Sequence, residues 1–143
     1  MQKFILIFCV GTLMVSATEP KFKTQEIDAE VGVGYGLQIA DMNGDGRSDI
    51  ILCDKDKIVW YQNPSWKKYQ ISGKLTQRDH VCVAARDING DGKAEIAVGG
   101  QWNIGESNDG AKSGSIFYLN PTADRIGNWA QFSLSILNLI NFH

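Results

Sequence analysis

Between residues 37 and 135 the chain alternates short apolar runs with clusters of Gly, Asn, Asp and Pro. The runs are four to six residues long and rich in β-branched and aromatic side chains, which is strand composition bounded by turn composition. Eight strands are predicted: residues 37–40, 49–53, 58–61 and 68–72, then 81–85, 95–99, 115–119 and 130–135. Runs such as DIILC (49–53) and HVCVAA (80–85) are apolar at nearly every position instead of alternating. Strands of that kind belong in sheets covered on both faces. Apolar residues do not recur at helical spacing, so the expected class is all-β.

The same order of features occurs twice. ADMNGDG (40–46) returns as RDINGDG (86–92), and Asp41, Asn43, Asp45 and Asp49 return 46 residues later as Asp87, Asn89, Asp91 and Glu95. An aliphatic run follows both loops. Further on, VWYQNP (59–64) matches IFYLNP (116–121) at an offset of 57, and WKKYQIS (66–72) matches WAQFSLS (129–135) at 63. The growing offset places an 11-residue insertion within residues 101–114 and a 6-residue insertion near 122–128. Two four-stranded repeats are therefore expected, over residues 35–80 and 81–135. A period in this range signals a repeat architecture.

Each repeat carries one acidic loop between its first two strands. Asp41, Asn43, Asp45 and Asp49 put side-chain oxygens at positions 1, 3, 5 and 9, and the carbonyl of Arg47 adds a ligand at position 7. In the second loop Asp87, Asn89, Asp91, the carbonyl of Lys93 and Glu95 take these places. Calcium seeks six to eight hard oxygen ligands, which this spacing supplies. Asn-Gly and Asp-Gly also make turns unaided. Against a plain turn, two carboxylates about 4 Å apart repel by roughly 4 kcal/mol at an effective dielectric of 20, and each loop converges three. Two Ca²⁺ sites are expected. An EF-hand is excluded, because position 12 is Leu52 or Val98 inside a strand, where that motif needs Glu and flanking helices. A dockerin-type pair fails for the same reason.

DMNGDGRSDI with VWYQNP, and DINGDGKAEI with IFYLNP, resemble the FG-GAP or VCBS-type repeat, the integrin-α-like blade of a β-propeller. The resemblance covers roughly residues 35–135. It implies that the metal loop joins the first two strands of each blade, and that calcium rigidifies the blade instead of performing chemistry. Propellers close with about four to eight blades. The two repeats here make an incomplete ring of about two to three blades, with residues 21–28 expected as an outer strand within an N-terminal segment, residues 18–34. A truncated reading frame accounts for this most simply, and assembly of several chains into one ring is the other account.

The remaining features bear on location and partners. Residues 1–17 have a basic start, a 12-residue apolar stretch and a small-residue cleavage pattern, the layout of a secretory signal peptide. The expected product is secreted, extracellular or periplasmic, with no membrane span in the mature chain. A net charge of −2 without a basic cluster argues against nucleic acid. Cys53 and Cys82 could pair in an oxidising compartment, but both are expected as small buried hydrophobes in strands. The insertion at residues 101–114 is the candidate contact surface for an extracellular carbohydrate or protein. In it Trp102 could stack on a sugar, and Glu106, Asp109 and Lys112 could hydrogen-bond to it. No catalytic constellation is visible, so no enzyme is expected. Gln77, Arg78, Asp79 and His80 are expected to form a solvated loop between blades. The alternative is the N-terminal part of a propeller-based polysaccharide lyase or sugar dehydratase, since such enzymes carry similar metal loops. Residues 136–143 form an apolar tail.

Overall fold

The computed structural model describes residues 19–105 and 113–134. It contains eight strands: β1 (Gly36–Ala40), β2 (Asp49–Asp54), β3 (Lys57–Gln62), β4 (Lys67–Ser72), β5 (Cys82–Arg86), β6 (Glu95–Gly100), β7 (Ser115–Asn120) and β8 (Ala130–Leu134). They form two four-stranded antiparallel sheets, in the orders β1-β2-β3-β4 and β5-β6-β7-β8. Each sheet is an up-and-down meander of the propeller-blade type. All eight expected strands are present, with ends displaced by a residue or so, as hydrogen bonding at strand ends commonly allows. The expected signal (residues 1–17) and apolar tail (136–143) lie outside the described residues.

Register decides which side chains share a face. Ile51 pairs with Trp60 and Cys53 with Ile58, whereas Ile50 pairs with Tyr61 and Leu52 with Val59. Because directly paired residues project to the same side, Ile51, Cys53, Ile58 and Trp60 form one face, termed forward, and the other four form the rear face. In the second blade Val83, Val98 and Phe117 share the rear face with Ile96 and Leu119. The forward face of the first blade and the rear face of the second close on one buried core, with Ile71, Met42, Ala94 and Trp129 at its margins. β5 lies against β1 and β2. Among the described residues, Ala94 N–H to Asp41 O and Trp129 N–H to Ile71 O, both at 2.8 Å, tie the blades, and His80 N–H to Lys55 O at 3.0 Å fixes the loop that joins them.

Pairing corrects the alignment of the third strands. Trp60 stands opposite Ile51, and Tyr118 stands opposite Ala97, the repeat equivalent of Ile51. Trp60 thus corresponds to Tyr118, one residue beyond the match suggested by the Asn-Pro pairs. The first insertion is one residue longer than the sequence match implied, and the second one shorter. A one-residue slip exchanges the faces of a strand, so this is more than a matter of numbering.

Three other expectations are revised. Residues 21–28 pair with no strand. An outer strand from this segment would complete the last blade of a full ring, and the two blades described already carry β4 and β8 on their outer edges. Ile27 packs instead on the rear-face cluster of Leu52, Val59 and Tyr61, while Asp28 accepts from the Tyr61 hydroxyl at 2.6 Å and from Lys68 Nζ at 2.9 Å. Cys82 is exposed, because alternation turns it to the forward face of the second blade, whereas Cys53 is buried; both thiols are free. Burial first, with the nearby Cys82 and Asp54, pushes the Cys53 thiol up to about 12. His80 is fully buried instead of solvated, and its Nε2 accepts the Leu75 N–H at 2.9 Å. Burial lowers its pKa and keeps the imidazole neutral, as that acceptor role requires.

A second carboxylate, besides that of Asp28, holds the end of the N-terminal segment. Fully buried Asp54, at the end of β2, accepts from Gly32, Val33 and Lys55 N–H at 2.8 Å and from Gly34 N–H at 3.2 Å. Burial opposes its charge, but the backbone N–H bonds outweigh burial and hold the carboxyl well below the ordinary range. Asp54→Ala strands those donors and is expected to destabilise the fold by about 3 kcal/mol in urea denaturation. With the folded-state pKa depressed, this contribution is complete above about pH 4 and erodes as pH falls further. A loss below about 1 kcal/mol would show that Asp54 does not hold the segment.

Candidate metal centre

The first acidic loop is wound around Asp41. Its Oδ1 accepts from Gly44 N–H at 2.7 Å and Asn43 N–H at 3.2 Å, and its Oδ2 from Gly46 N–H at 2.7 Å. Asn43 Oδ1 accepts Asp45 N–H at 3.0 Å, and Asp45 Oδ1 accepts Arg47 N–H at 2.9 Å. Gly44 and Gly46 both hold φ at 79°, a left-handed conformation that lets the chain turn twice about one carboxylate. At the base of the loop Asp49 is fully buried and accepts Met42 and Asn63 N–H, each at 2.9 Å. Burial raises the Asp49 pKa, the Asn63 and Met42 bonds oppose that, and repulsion from Asp45 and Asp41 raises it further.

The second loop repeats this winding. Asp87 accepts Gly90 N–H at 2.7 Å and Gly92 N–H at 2.8 Å, Asn89 Oδ1 accepts Asp91 N–H at 2.8 Å, and Asp91 Oδ1 accepts Lys93 N–H at 2.9 Å. The Gly92 N–H bond is the main cause of a lowered Asp87 pKa. At position 9 the loops differ. Glu95 Oε2 accepts Ile88 N–H at 3.1 Å, but Oε1 is bound by Arg125 Nη2 at 3.0 Å, and both side chains are buried. Arg125 also donates to Ala94 O and sits over the Trp129 ring, 5.5 Å from its centroid.

The loops also touch each other. Ala94 N–H bonds the carbonyl of Asp41, and the Lys93 stem crosses Gly44, where a Cβ would come within 2.9 Å of Lys93 Cε. Each loop offers two carboxylates and one amide oxygen toward its turn, with the position-9 carboxylate beneath. Among the described residues, no three Asp, Glu, His or Cys side chains stand together as a preformed metal cage. The donor chemistry is nevertheless all hard oxygen, matching calcium and not zinc.

Of the proposed ligand surface, Trp102 is exposed at 45% and borders a cavity of about 330 Å³ with Val81, Gly99, Gly100 and Ile116. Glu106, Asp109 and Lys112 lie outside the described residues. Arg125 was not foreseen. The one sequence signal for it is Glu where the first loop has Asp: the extra methylene suits a partner outside the loop, and the insertion near residues 122–128 supplies one.

Comparison with known proteins agrees with this arrangement. A profile of an FG-GAP-like repeat matches residues 26–98, just over half of the chain, and a profile of an FG-GAP repeat matches residues 83–118. No curated protein and no solved structure matches the chain.

Removing Arg125 leaves Glu95 buried and uncompensated. Arg125→Ala is expected to destabilise by about 3–5 kcal/mol, whereas Arg125→Met combined with Glu95→Gln recovers most of that loss. Equal losses in the single and double variants, read from urea midpoints, would contradict the pairing.

Proposed function

The chain belongs to the FG-GAP-like repeat family, and from that premise we propose that it is an exported propeller module whose two blades are stiffened by calcium. The observation that carries this reading is the duplication of one winding. Asp41 and Asp87 each gather the N–H groups of the residues three and five positions on, although the blades differ elsewhere by two insertions. Bound calcium would supply positive charge between carboxylates that otherwise repel. Asp41, Asn43, Asp45 and the Arg47 carbonyl would hold it in the first loop, with Asp49 beneath. Asp87, Asn89, Asp91 and the Lys93 carbonyl would do so in the second, where Glu95 shares its charge with Arg125.

The role is mechanical. Each loop fixes the entry to the second strand of its blade, and Asp41 O bonds Ala94 N–H across to the next blade. Charge neutralisation in the loops therefore reaches the blade–blade contact. Export supports the same reading, because extracellular fluids hold calcium at levels that fill even weak oxygen sites. Binding of a carbohydrate or protein through residues 101–114 is the ligand reading that goes with it, with Trp102 as the aromatic contact.

Calcium at a hundredfold over its dissociation constant is expected to add about 2.7 kcal/mol per site. With both sites filled, the melting midpoint should rise by roughly 20 °C, about 10 °C for each site, when chelator is replaced by millimolar calcium. Asp41→Ala and Asp87→Ala should each remove part of that rise. Titration calorimetry showing no heat in millimolar calcium would end the metal reading. N-terminal sequencing of protein recovered outside the cytoplasm should begin at Thr18; an intact Met1 there would end the export reading.

A further inference from the structure

The two acidic loops meet at a single peptide group. The amide between Lys93 and Ala94 carries the Lys93 carbonyl, the position-7 oxygen of the second loop, and the Ala94 N–H. That N–H donates to the carbonyl of Asp41, position 1 of the first loop, at 2.8 Å. The amide is trans and planar, so its C=O and N–H point in opposite directions and turn only together. Ala94 is 2% exposed, so water does not compete for the bond.

Each end of this amide is held by its own loop. Asp41 is fixed by the Gly44 and Gly46 N–H groups on its carboxylate, and the Lys93 N–H is held by Asp91 Oδ1 at 2.9 Å. Beyond it, the Ala94 carbonyl takes the Arg125 guanidinium, and the Lys93 stem lies across Gly44. Stiffening of either loop by a bound ion therefore stiffens the amide, and the other loop then binds with a backbone already ordered. Charge acts the other way, because two like ions repel and the Lys93 ammonium adds to the repulsion. Residues 44–48 and 88–92 are exposed, however, and salt screens charges there beyond about 8 Å. Ordering the backbone of one residue is worth a factor of about five to thirty in affinity. Ordering wins.

We propose that the two calcium sites are positively coupled, each tightening the other through the Lys93–Ala94 amide. The proposal rests on the calcium reading of both loops. Linkage requires the coupling factor to be the same in both directions.

Calcium titration of the full chain, followed through the loop glycine amides in NMR spectra, tests this. Gly44 and Gly46 report the first loop, and Gly90 and Gly92 the second. In the unaltered protein both sets should move together, along a curve steeper than one independent site allows. Asp45→Asn and Asp91→Asn each remove one charge from one loop but keep an oxygen for the Arg47 or Lys93 N–H, which preserves the winding. Asp91→Asn should raise the calcium midpoint of Gly44 and Gly46 by about threefold or more, and Asp45→Asn that of Gly90 and Gly92. Both effects should persist in about 1 M salt, where the Debye length is about 3 Å. They should also persist in Lys93→Met, which keeps the stem and the amide but not the charge. Midpoints that ignore the other loop, a coupling of opposite sign, or one lost in high salt or in Lys93→Met overturns the proposal and leaves the calcium reading standing. Glycine amides that do not move in millimolar calcium overturn both.

Discussion

Everything in this molecule depends on the burial of one blade face against the next. A four-stranded sheet has two faces and cannot bury both within itself, so a lone blade has no core. Ile51, Cys53, Ile58 and Trp60 acquire one only by meeting Val83, Ile96, Val98 and Leu119. The near-continuous apolar composition of β2 and β6 follows from this, because the central strands of a blade are covered from both sides. The outer strand β8, by contrast, is exposed at nearly every position.

The acidic loops serve that interface from its rim. Their carboxylates are taken up first by the loop's own backbone N–H groups, which gives each turn a fixed shape before any ion is considered. The shape then positions groups that reach across the blades: the Asp41 carbonyl toward Ala94, and the Lys93 stem over Gly44. The second loop has exchanged a compact aspartate for a glutamate tied to Arg125, whose φ of 56° is one that a non-glycine residue holds only when its surroundings demand it. At position 9 the two blades have thus solved the same electrostatic problem differently, Asp49 by backbone donors alone and Glu95 with an added guanidinium.

The strands, their number and the repeat are legible in the sequence because turn residues punctuate short β-branched runs at nearly even spacing. The faces are less so. The Asn-Pro match aligns Trp60 with Phe117, yet pairing aligns it with Tyr118, because insertions and register slips look alike in one dimension. Cys82 was misplaced for a related reason: whether an apolar strand residue is covered depends on the neighbouring blade, which local composition does not reveal. His80 and Asp54 are polar residues whose burial depends on backbone donors that local composition does not reveal, such as Leu75 for His80 and the distant Gly32 and Val33 for Asp54. The acidic loops were readable as motifs, but the partition of Glu95 toward Arg125 was not, since the two lie in separate elements.

The four tryptophans fall in different surroundings, and this makes the chain its own optical reporter. Trp60 and Trp129 are sealed between the blades, the first stacked on Tyr69 with ring centroids 4.7 Å apart, while Trp66 is half-buried on the opposite face and Trp102 is open to solvent. Parting of the blades would wet the first two indoles and redden their fluorescence while leaving the Trp102 contribution in place. Separation of the sheets and unravelling of the strands therefore carry distinguishable spectral signatures without any added label.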